Sequence, residues 1–166
     1  MGKLGADFDI GTSIIPVDLA DGANTGHRLN LKNYGGVAIV AYIAVGTAAE
    51  APTITLQEHT AATAGTSQNL VEIATYHEKT ELALDGDEAW STTTQTAAAT
   101  LTDATWDDAG QSLIVFEVDA EQLSDGYAWI SVNIADTGTA HLGCVFYVMY
   151  DLAVQRAPAN LVQPNA

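Results

Sequence analysis

The chain has very few basic residues: 5 Lys or Arg stand against 21 Asp or Glu among its 166 residues, a formal net charge of -16. The imbalance is greatest in residues 80–155, where 13 acidic residues and no Lys or Arg occur. Such a surface repels a phosphate backbone, so we expect no nucleic-acid partner. The charge fits a solvated coat that maintains solubility, adaptation to high salt, or an acidic exterior facing the medium on a particle.

Cysteine and long apolar runs are also scarce. The single cysteine, Cys144, excludes an intramolecular disulfide, and its apolar neighbours predict a buried, unreactive thiol. The longest uncharged run, residues 35–49, is shorter than the ~20 residues of a membrane-spanning helix, so we expect no membrane partner. Residues 1–16 lack the apolar core of a secretory signal, which predicts synthesis in the cytoplasm without secretion.

Recognisable catalytic and ligand-binding motifs are missing. The sequence has no G-x-S-x-G element, no phosphate-binding glycine loop, and no nucleophile and base at a familiar spacing. The four histidines do not stand at metal-ligand spacing, and the acidic residues 85–88 favour a hairpin turn over a calcium loop. We therefore predict a protein that is not an enzyme, with no catalytic residue, metal or cofactor.

The sequence is instead rich in short strand-like segments. Apolar or alternating stretches are separated by turn residues, with Asp-Gly pairs at 85–86 and 125–126, and include residues 28–32, 52–59, 113–118, 127–134 and 142–152. One short helical turn is predicted at residues 120–123, and no helix is long enough to cover a sheet. We predict an all-β fold: an antiparallel β-sandwich of jelly-roll or immunoglobulin-like type, with eight or nine strands.

The two ends of the chain differ in composition from its middle. Residues 1–24 combine glycine with apolar side chains and are predicted to be an N-terminal arm that orders on a partner. Residues 25–155 are predicted to form the β-sandwich domain, and residues 156–166, with two prolines, an extended C-terminal tail. The alternative for either end is a frayed segment packed on its own domain.

Two strands are apolar on both faces. Residues 37–45 alternate between one apolar set and a second set that includes Val40 and Tyr42. The last strand, residues 142–152, has the same character. Since one inner face needs only one apolar set, we expect the other to be covered by sheet packing or a neighbouring subunit. The predicted self-association residues are Val40, Tyr42, Tyr147 and Met149.

The aromatic residues allow a second interpretation. Core packing is predicted for Trp129, whereas Trp90 and Trp106 flank the Thr- and Ala-rich residues 91–102, an extended edge or a long loop. Together with Tyr76, these two indoles are candidates for a carbohydrate platform.

The order of segments resembles a group of small structural proteins encoded in the head modules of tailed bacteriophages. Three motifs carry the resemblance: N-x-x-x-Y-G at residues 30–35, G-T-A-x-x-x-P-T-I-T-L-Q at residues 46–57, and D-A-x-x-L-x-x-G-Y-x-W-I-x-V at residues 119–132. The similarity spans residues 25–152. The strong acidity of this chain departs from the general pattern of the group.

The resemblance implies a virion structural protein, a capsid decoration or cement protein made in the host cytoplasm. It would bind the outer surface of the major capsid protein shell on the head exterior and stabilise it, often as a homotrimer. Three of the five basic side chains lie near the first strand. If the capsid surface beneath is acidic, that end is expected to face it. The predicted capsid or partner contacts are Lys3, Leu4, Phe8, Ile10, Ile14, Ile15, Arg28, Lys32, Leu161 and Val162.

Two other functions are alternatives. A carbohydrate-binding or cell-surface β-sandwich module, used in host adhesion, would stack sugars on Trp90, Trp106 and Tyr76. A surface-layer module of a salt-loving cell would also be acidic and all-β, and it should unfold when salt is removed.

Overall fold

The computed structural model describes residues 2–161, and almost all of its regular structure is β-strand. Helical structure in this range is limited to three single 3₁₀ turns, at Ala104–Trp106, Ala120–Gln122 and Pro158–Asn160. The strands are β1 (Phe8–Asp18), β2 (Asn24–Thr25), β3 (Leu29–Asn30), β4 (Gly36–Ile43), β5 (Ile54–His59), β6 (Ser67–Asn69), β7 (Ile73–Glu81), β8 (Ser91–Ala98), β9 (Thr100–Leu101), β10 (Gln111–Asp119), β11 (Trp129–Ile134) and β12 (Leu142–Tyr150).

The strands form two antiparallel sheets that pack face to face. Sheet 1 has the order β1-β12-β4-β10-β7-β8. Sheet 2 has the order β2-β11-β5-β6, with β3 also paired to β11 and β9 to β5. This architecture confirms the predicted all-β antiparallel sandwich. Nine of the strands described have three or more residues, and the remaining three are two-residue pairings.

The core lies between the two sheets because the strands alternate in burial. In β4, Val37, Ile39, Ala41 and Ile43 are completely buried, while the residues between them are partly exposed. Sheet 2 contributes its own inward set of aliphatic side chains, including Ile54, Leu56, Ile130, Val132 and Ile134. Ile54 and Leu56 lie in β5, so the strand predicted over residues 52–59 is formed at residues 54–59.

The two strands at the edges of sheet 1 come from segments that the sequence left outside the regular strands. Residues 8–18 of the predicted arm form β1, which pairs with β12 along its length through two register shifts. The Thr-rich residues 91–98 form β8, the opposite edge, as predicted for an extended edge. The strand predicted over residues 28–32 is only the short β3.

The turns follow the local chemistry of the sequence. Gly126 has a φ angle of 84°, which glycine adopts without strain, and the Tyr127 N–H donates to the Ser124 carbonyl at 3.0 Å, so the predicted turn at residues 125–126 is confirmed. At residues 85–86, Gly86 has a φ angle of 110° but is a bend in the longer loop between β7 and β8, so the tight hairpin turn predicted there is not formed. The predicted helical turn near residue 120 is the 3₁₀ turn that begins after Asp119, whose backbone N–H donates to Gln122 Oε1 at 2.8 Å.

The sandwich has two ends. The terminal end consists of residues 2–7, 31–35, 120–128 and 151–161, which backbone hydrogen bonds connect: Arg156 to Gly5 at 2.7 Å, Ala120 to Gly35 at 2.8 Å and Leu31 to Ala128 at 2.9 Å. The loop end consists of residues 18–24, 44–53, 81–90, 102–110 and 135–141. It is connected by Thr137 to Leu19, Gly46 to Asp107, and Thr47 to Ala140, all at 3.2 Å.

Candidate functional site

The outer face of sheet 1 is apolar across four adjacent strands. Strand register places Phe146 beside Val40 and Val40 beside Val115, and repeats this pattern in the neighbouring rows. None of these side chains carries a charge, and most are partly exposed. We call this surface the apolar face: Ile10, Ala38, Val40, Tyr42, Leu113, Val115, Leu142, Cys144, Phe146 and Val148.

The apolar face offers few hydrogen-bonding groups to a polar ligand in its centre. Its one hydroxyl, that of Tyr42, donates to Gln111 Oε1 at 2.9 Å, and this oxygen also accepts from the backbone N–H of Leu84 at 3.0 Å. Burial raises the pKa of the Cys144 thiol, so this group is neutral at physiological pH. The face is therefore suited to an apolar protein surface.

Only two of the four predicted self-association residues lie on this face. Val40 and Tyr42 do, but Tyr147 and Met149 point inward and are 1% and 0% exposed. Tyr147 is fixed in the core, because its hydroxyl donates to the His27 carbonyl at 3.1 Å and accepts from the Val132 N–H at 3.2 Å. The prediction for β12 was wrong by one residue: Phe146 and Val148 are its outward-facing side chains.

The outer face of sheet 2 is polar and is cross-linked by its own hydrogen bonds. Asn133 donates to Gln57 at 2.8 Å, and Gln57 donates to Asn69 at 3.2 Å. These bonds run across β11, β5 and β6. We call this surface the polar face: Arg28, Gln57, His59, Ser67, Asn69, Ser131 and Asn133.

His59 is the buried centre of the polar face, with 2% of its surface exposed. Its Nδ1 lies 2.7 Å from Ser67 Oγ and its Nε2 lies 2.8 Å from Ser131 Oγ. Burial, and then the charge of Arg28, lower the pKa of His59 to about 4, although Glu58 opposes the shift. A serine and an imidazole at this distance resemble a nucleophile and its general base. However, both ring nitrogens of His59 are already hydrogen bonded and its pKa is low, which fits a structural role.

Arg28 is a clamp within the chain. Its Nη1 donates to the carbonyl oxygens of Ala61 and Ala64 at 2.8 and 2.7 Å, and its Nη2 donates to Ser67 Oγ at 3.2 Å. These bonds hold the loop between β5 and β6 against the polar face. The predicted role of Arg28 as a partner contact therefore competes with three internal bonds. Sequence reasoning missed them because two acceptors are backbone carbonyls, 33 and 36 residues away, and the third is a hydroxyl 39 residues away.

Three of the four remaining basic residues lie at the terminal end. Lys3, Lys32 and Arg156 are all exposed there, on three separate segments that the fold brings together. The same segments contain four acidic residues, and the carboxylates of Asp9, Glu58 and Glu72 bond to them from neighbouring strands, so this end is less acidic than the rest of the chain without being neutral. Arg156 was not predicted, because it lies far along the chain from the other two.

The loop end has the opposite character. Its segments contain eleven of the 21 acidic residues and no Lys or Arg: Asp18, Asp21, Glu50, Glu81, Asp85, Asp87, Glu88, Asp103, Asp107, Asp108 and Asp136. Lys79, just before these segments, lies 3.8 Å from Glu88. The formal charge of the chain is therefore concentrated at the end that lies opposite the terminal end.

The predicted contact residues of the two termini occupy different environments. Leu4, Ile10 and Ile15 are exposed, by 41%, 53% and 62%, and Phe8 is half-buried. The prediction for Ile14 was wrong: this residue is 6% exposed and belongs to the core, so it cannot contact a partner in this conformation. Leu161 is half-buried beside Gly5. Val162 lies outside the described residues.

The carbohydrate platform is not formed. Trp106 and Tyr76 are buried, with ring centroids 5.7 Å apart in an edge-to-face arrangement. Trp106 Nε1 donates to the buried carboxylate of Glu78 at 2.7 Å. Trp90 alone is exposed, with the Lys79 ammonium 5.2 Å from its ring centroid. Trp129, predicted to be a core residue, instead lies half-buried on the outer side of sheet 2.

One carboxylate cluster occurs in the described range, and its contacts are those of a structural turn. Oxygen atoms of Glu81, Asp87 and Glu88 lie within 4.8 Å of one another in the β7–β8 hairpin. Lys79 neutralises part of this cluster, and the Gly86 backbone N–H donates to Glu88 at 2.9 Å, as in a structural turn. Among residues 2–161, no helix is long and apolar enough to cross a membrane.

Comparison with known proteins gives no family. No family model matches the sequence, and no curated protein matches it significantly. Among solved structures, a protein of Bacillus endospore appendages, described as a family of disulfide-linked pili, is 12% identical with a TM-score of 0.35, over 91% of this chain and 92% of the other.

Two further structures are more distant. A family two carbohydrate esterase from Cellvibrio japonicus is 9% identical with a TM-score of 0.24, over 89% of this chain and 32% of the other. A structure of infectious bursal disease virus, Gx strain, is 12% identical with a TM-score of 0.23, over 86% of this chain and 40% of the other. All three TM-scores are below 0.5, so these similarities support no conclusion about function.

Proposed function

We propose that the protein is a virion structural protein that decorates the outer surface of a bacteriophage head. It binds the major capsid protein shell through its terminal end, as a homotrimer, and stabilises the shell. It works by binding, without catalysis and without a cofactor.

The observation that carries this proposal is the separation of charge between the two ends. Three exposed basic side chains, on segments far apart in sequence, are brought to the same end as the first and last described residues. The eleven acidic residues of the loop end lie on the opposite side of the sandwich. A module oriented this way attaches to an anionic shell with the end that carries the basic side chains and presents the strongly acidic end to the medium.

The termini add apolar contacts to the same end. Leu4 is 41% exposed, and the tail residues 157–161 run beside the N-terminal segment, where Gly5 and Arg156 are hydrogen bonded. Exposed apolar side chains surrounded by Lys3, Lys32 and Arg156 have the composition of a protein-binding surface with a polar rim. The carbohydrate-binding alternative has no comparable support, since one exposed indole is not a platform.

The test is co-sedimentation of the purified chain with capsids of the encoding phage, assembled from the major capsid protein alone. Lys32→Gln removes one positive charge at the terminal end, and Ala49→Glu adds one negative charge at the loop end. Both variants change the net charge by the same amount, which makes Ala49→Glu the matched control. We expect Lys32→Gln to weaken binding several-fold and Ala49→Glu to leave it unchanged.

Saturable binding, with a higher capsid melting temperature in the presence of the chain, supports the proposal. Absence of binding to these capsids contradicts it. Equal effects of the two variants would show that net charge alone governs attachment, and would remove the terminal end from the proposal.

A further inference from the structure

We propose that a second copy of this chain covers the apolar face, so that Cys144 lies inside a contact between protomers. The surface is the ten-residue apolar face of β1, β12, β4 and β10. This inference deepens the proposed function: it rests on the end-on attachment only for the identity of the occupant, and its test uses the chain in the absence of capsids.

The size of the face is the first argument. Four strands about 4.8 Å apart, over about eight residues at 3.4 Å each, cover about 500 Å² of sheet. Apolar patches of roughly 300–600 Å² are the largest that ordinary monomers expose, and they often mark interaction sites. Ile15, on β1 and 62% exposed, adds to this surface, in the direction of the ~800 Å² that each partner buries in a standard interface.

The charge of the protein is the second argument. A chain with a formal charge of -16 repels its own copies unless they meet where charge is absent. The apolar face meets that condition: of the ten side chains that define it, none is ionised, and the eleven acidic residues of the loop end lie at or beyond the ends of the strands. Lys79, paired with Leu113, borders the face on the β7 side. The nearest carboxylate on this side of the sheet is that of Glu117, at the corner next to Ala38.

The direction of the face is the third argument. The apolar face runs along the strands, between the two ends of the sandwich. In a module attached by its terminal end, this face therefore stands at right angles to the shell surface. It points toward the neighbouring module on the shell, which is another copy of the same chain. The opposite side of the sandwich is the polar face, whose amides, hydroxyls and imidazole are already bonded to one another.

Cys144 gives a direct measurement of coverage, because it is the only thiol in the chain. The experiment measures the mass of the full chain in solution by light scattering over a range of concentrations. In the same samples, it measures the rate at which a maleimide labels Cys144. We expect a multimer of the 17.4 kDa chain whose thiol reacts about tenfold more slowly than that of the diluted, dissociated protein.

Two lysine substitutions separate the face from the rest of the sheet. Val40→Lys introduces a charge at the centre of the apolar face. Thr94→Lys introduces the same charge on the same side of sheet 1, but on the exposed edge strand β8. We expect Val40→Lys to give a monomer with fast labelling of Cys144, and Thr94→Lys to behave as the unmodified chain. Circular dichroism confirms that each variant is folded.

A chain that stays monomeric at high concentration overturns the inference, as does a multimer whose Cys144 is labelled as fast as in the dissociated protein. These measurements do not depend on Val40→Lys, so a misfolded variant does not affect them. A multimer with a protected thiol that fails to bind capsids supports this contact and contradicts the proposed function. A monomer that binds capsids does the reverse.

Discussion

The two sheets present outer faces of similar construction and opposite chemistry. Both are flat, both lie along the strands, and both are made of residues that alternate with the core. On sheet 2, the outward side chains form a network in which Gln57 bridges Asn133 and Asn69, and His59 bridges Ser67 and Ser131. On the apolar face, the one side-chain hydrogen bond is that of Tyr42.

The difference shows which surface is complete in the single chain. The polar face satisfies its donors and acceptors internally, and the Arg28 clamp holds a loop over it. The hydration of the apolar face is unfavourable, and no other part of the described chain covers it. Its free energy is therefore lowered when another apolar surface covers it. Substitutions on each face can test this contrast between a surface that is hydrogen bonded within the chain and one that is left uncovered.

The largest expected effect separates two neighbouring residues of β12. Tyr147→Ala empties a fully buried site and removes two hydrogen bonds, so we expect the free energy of unfolding to fall by about 4 kcal/mol. Phe146→Ala, one residue earlier on the apolar face, should cost the isolated protomer less than about 1.5 kcal/mol. Urea denaturation of both variants, at concentrations where the chain is monomeric, measures the difference.

The same pair should behave in the opposite order in assembly. Phe146→Ala is expected to weaken association of the chain, whereas Tyr147→Phe, which keeps the ring in the core, should leave it unchanged. Equal losses of stability in Phe146→Ala and Tyr147→Ala would mean that the two faces of β12 are equally buried, which is incompatible with the strand register.

The strand register also explains what the sequence could and could not predict. The apolar character of β4 and β12 predicted strands with two apolar faces, and the alternation of β4 correctly separated Val37 from Val40. For β12, both faces are apolar, so the alternation does not identify the inner side. Only the pairing of Val148 with Ala38, and of Tyr147 with Ile39, decides it.

The candidate site was less predictable because its members are distant in sequence. The terminal end combines Lys3, Lys32 and Arg156, and the Arg28 clamp uses backbone carbonyls, which have no sequence signature. The N-terminal residues show a related limit. Their composition predicted an arm, and the segment does have exposed isoleucines and two register shifts. Its pairing with β12 is a tertiary contact, which composition does not reveal.

The second prediction concerns the polar face. Arg28→Ala removes three charge-assisted hydrogen bonds that hold residues 61–67, so we expect a loss of about 2–3 kcal/mol in the free energy of unfolding. Arg28→Lys keeps the charge but cannot reproduce the planar, forked geometry, and should recover less than half of the loss. Hydrogen exchange of the loop locates the effect, and full stability of Arg28→Ala would contradict the clamp.

The third prediction is a dependence of stability on pH. An unfolded histidine titrates near pH 6.5, whereas burial and Arg28 hold the pKa of His59 at about 4, and burial also lowers the pKa of His141 at the loop end. Above pH 6.5 both states are neutral. Between pH 6.5 and 4 the unfolded chain binds protons that the folded chain does not, so stability falls as the pH falls.

Melting temperatures at pH 7.5, 6, 5 and 4.5 measure this slope. Protonation of exposed carboxylates relieves repulsion and acts in the opposite direction, so the comparison needs a variant. His59→Gln retains a polar group on the face but does not titrate, and we expect a smaller slope in this variant. Identical slopes in the two proteins would exclude His59 as a source of the dependence.

The smallest expected effect comes from salt, and it distinguishes the acidic coat from adaptation to high salt. The core is built from aliphatic side chains, and the only Lys–carboxylate contact in the described range is Lys79 with Glu88 at 3.8 Å. Salt therefore has little attraction to screen and mainly reduces repulsion at the loop end. We expect the chain to stay folded in 20 mM salt and its melting temperature to rise only slightly at higher salt. Assembly should strengthen in parallel, since repulsion between copies is screened while the apolar face is unaffected. Unfolding at low salt would instead favour the surface-layer module of a salt-loving cell.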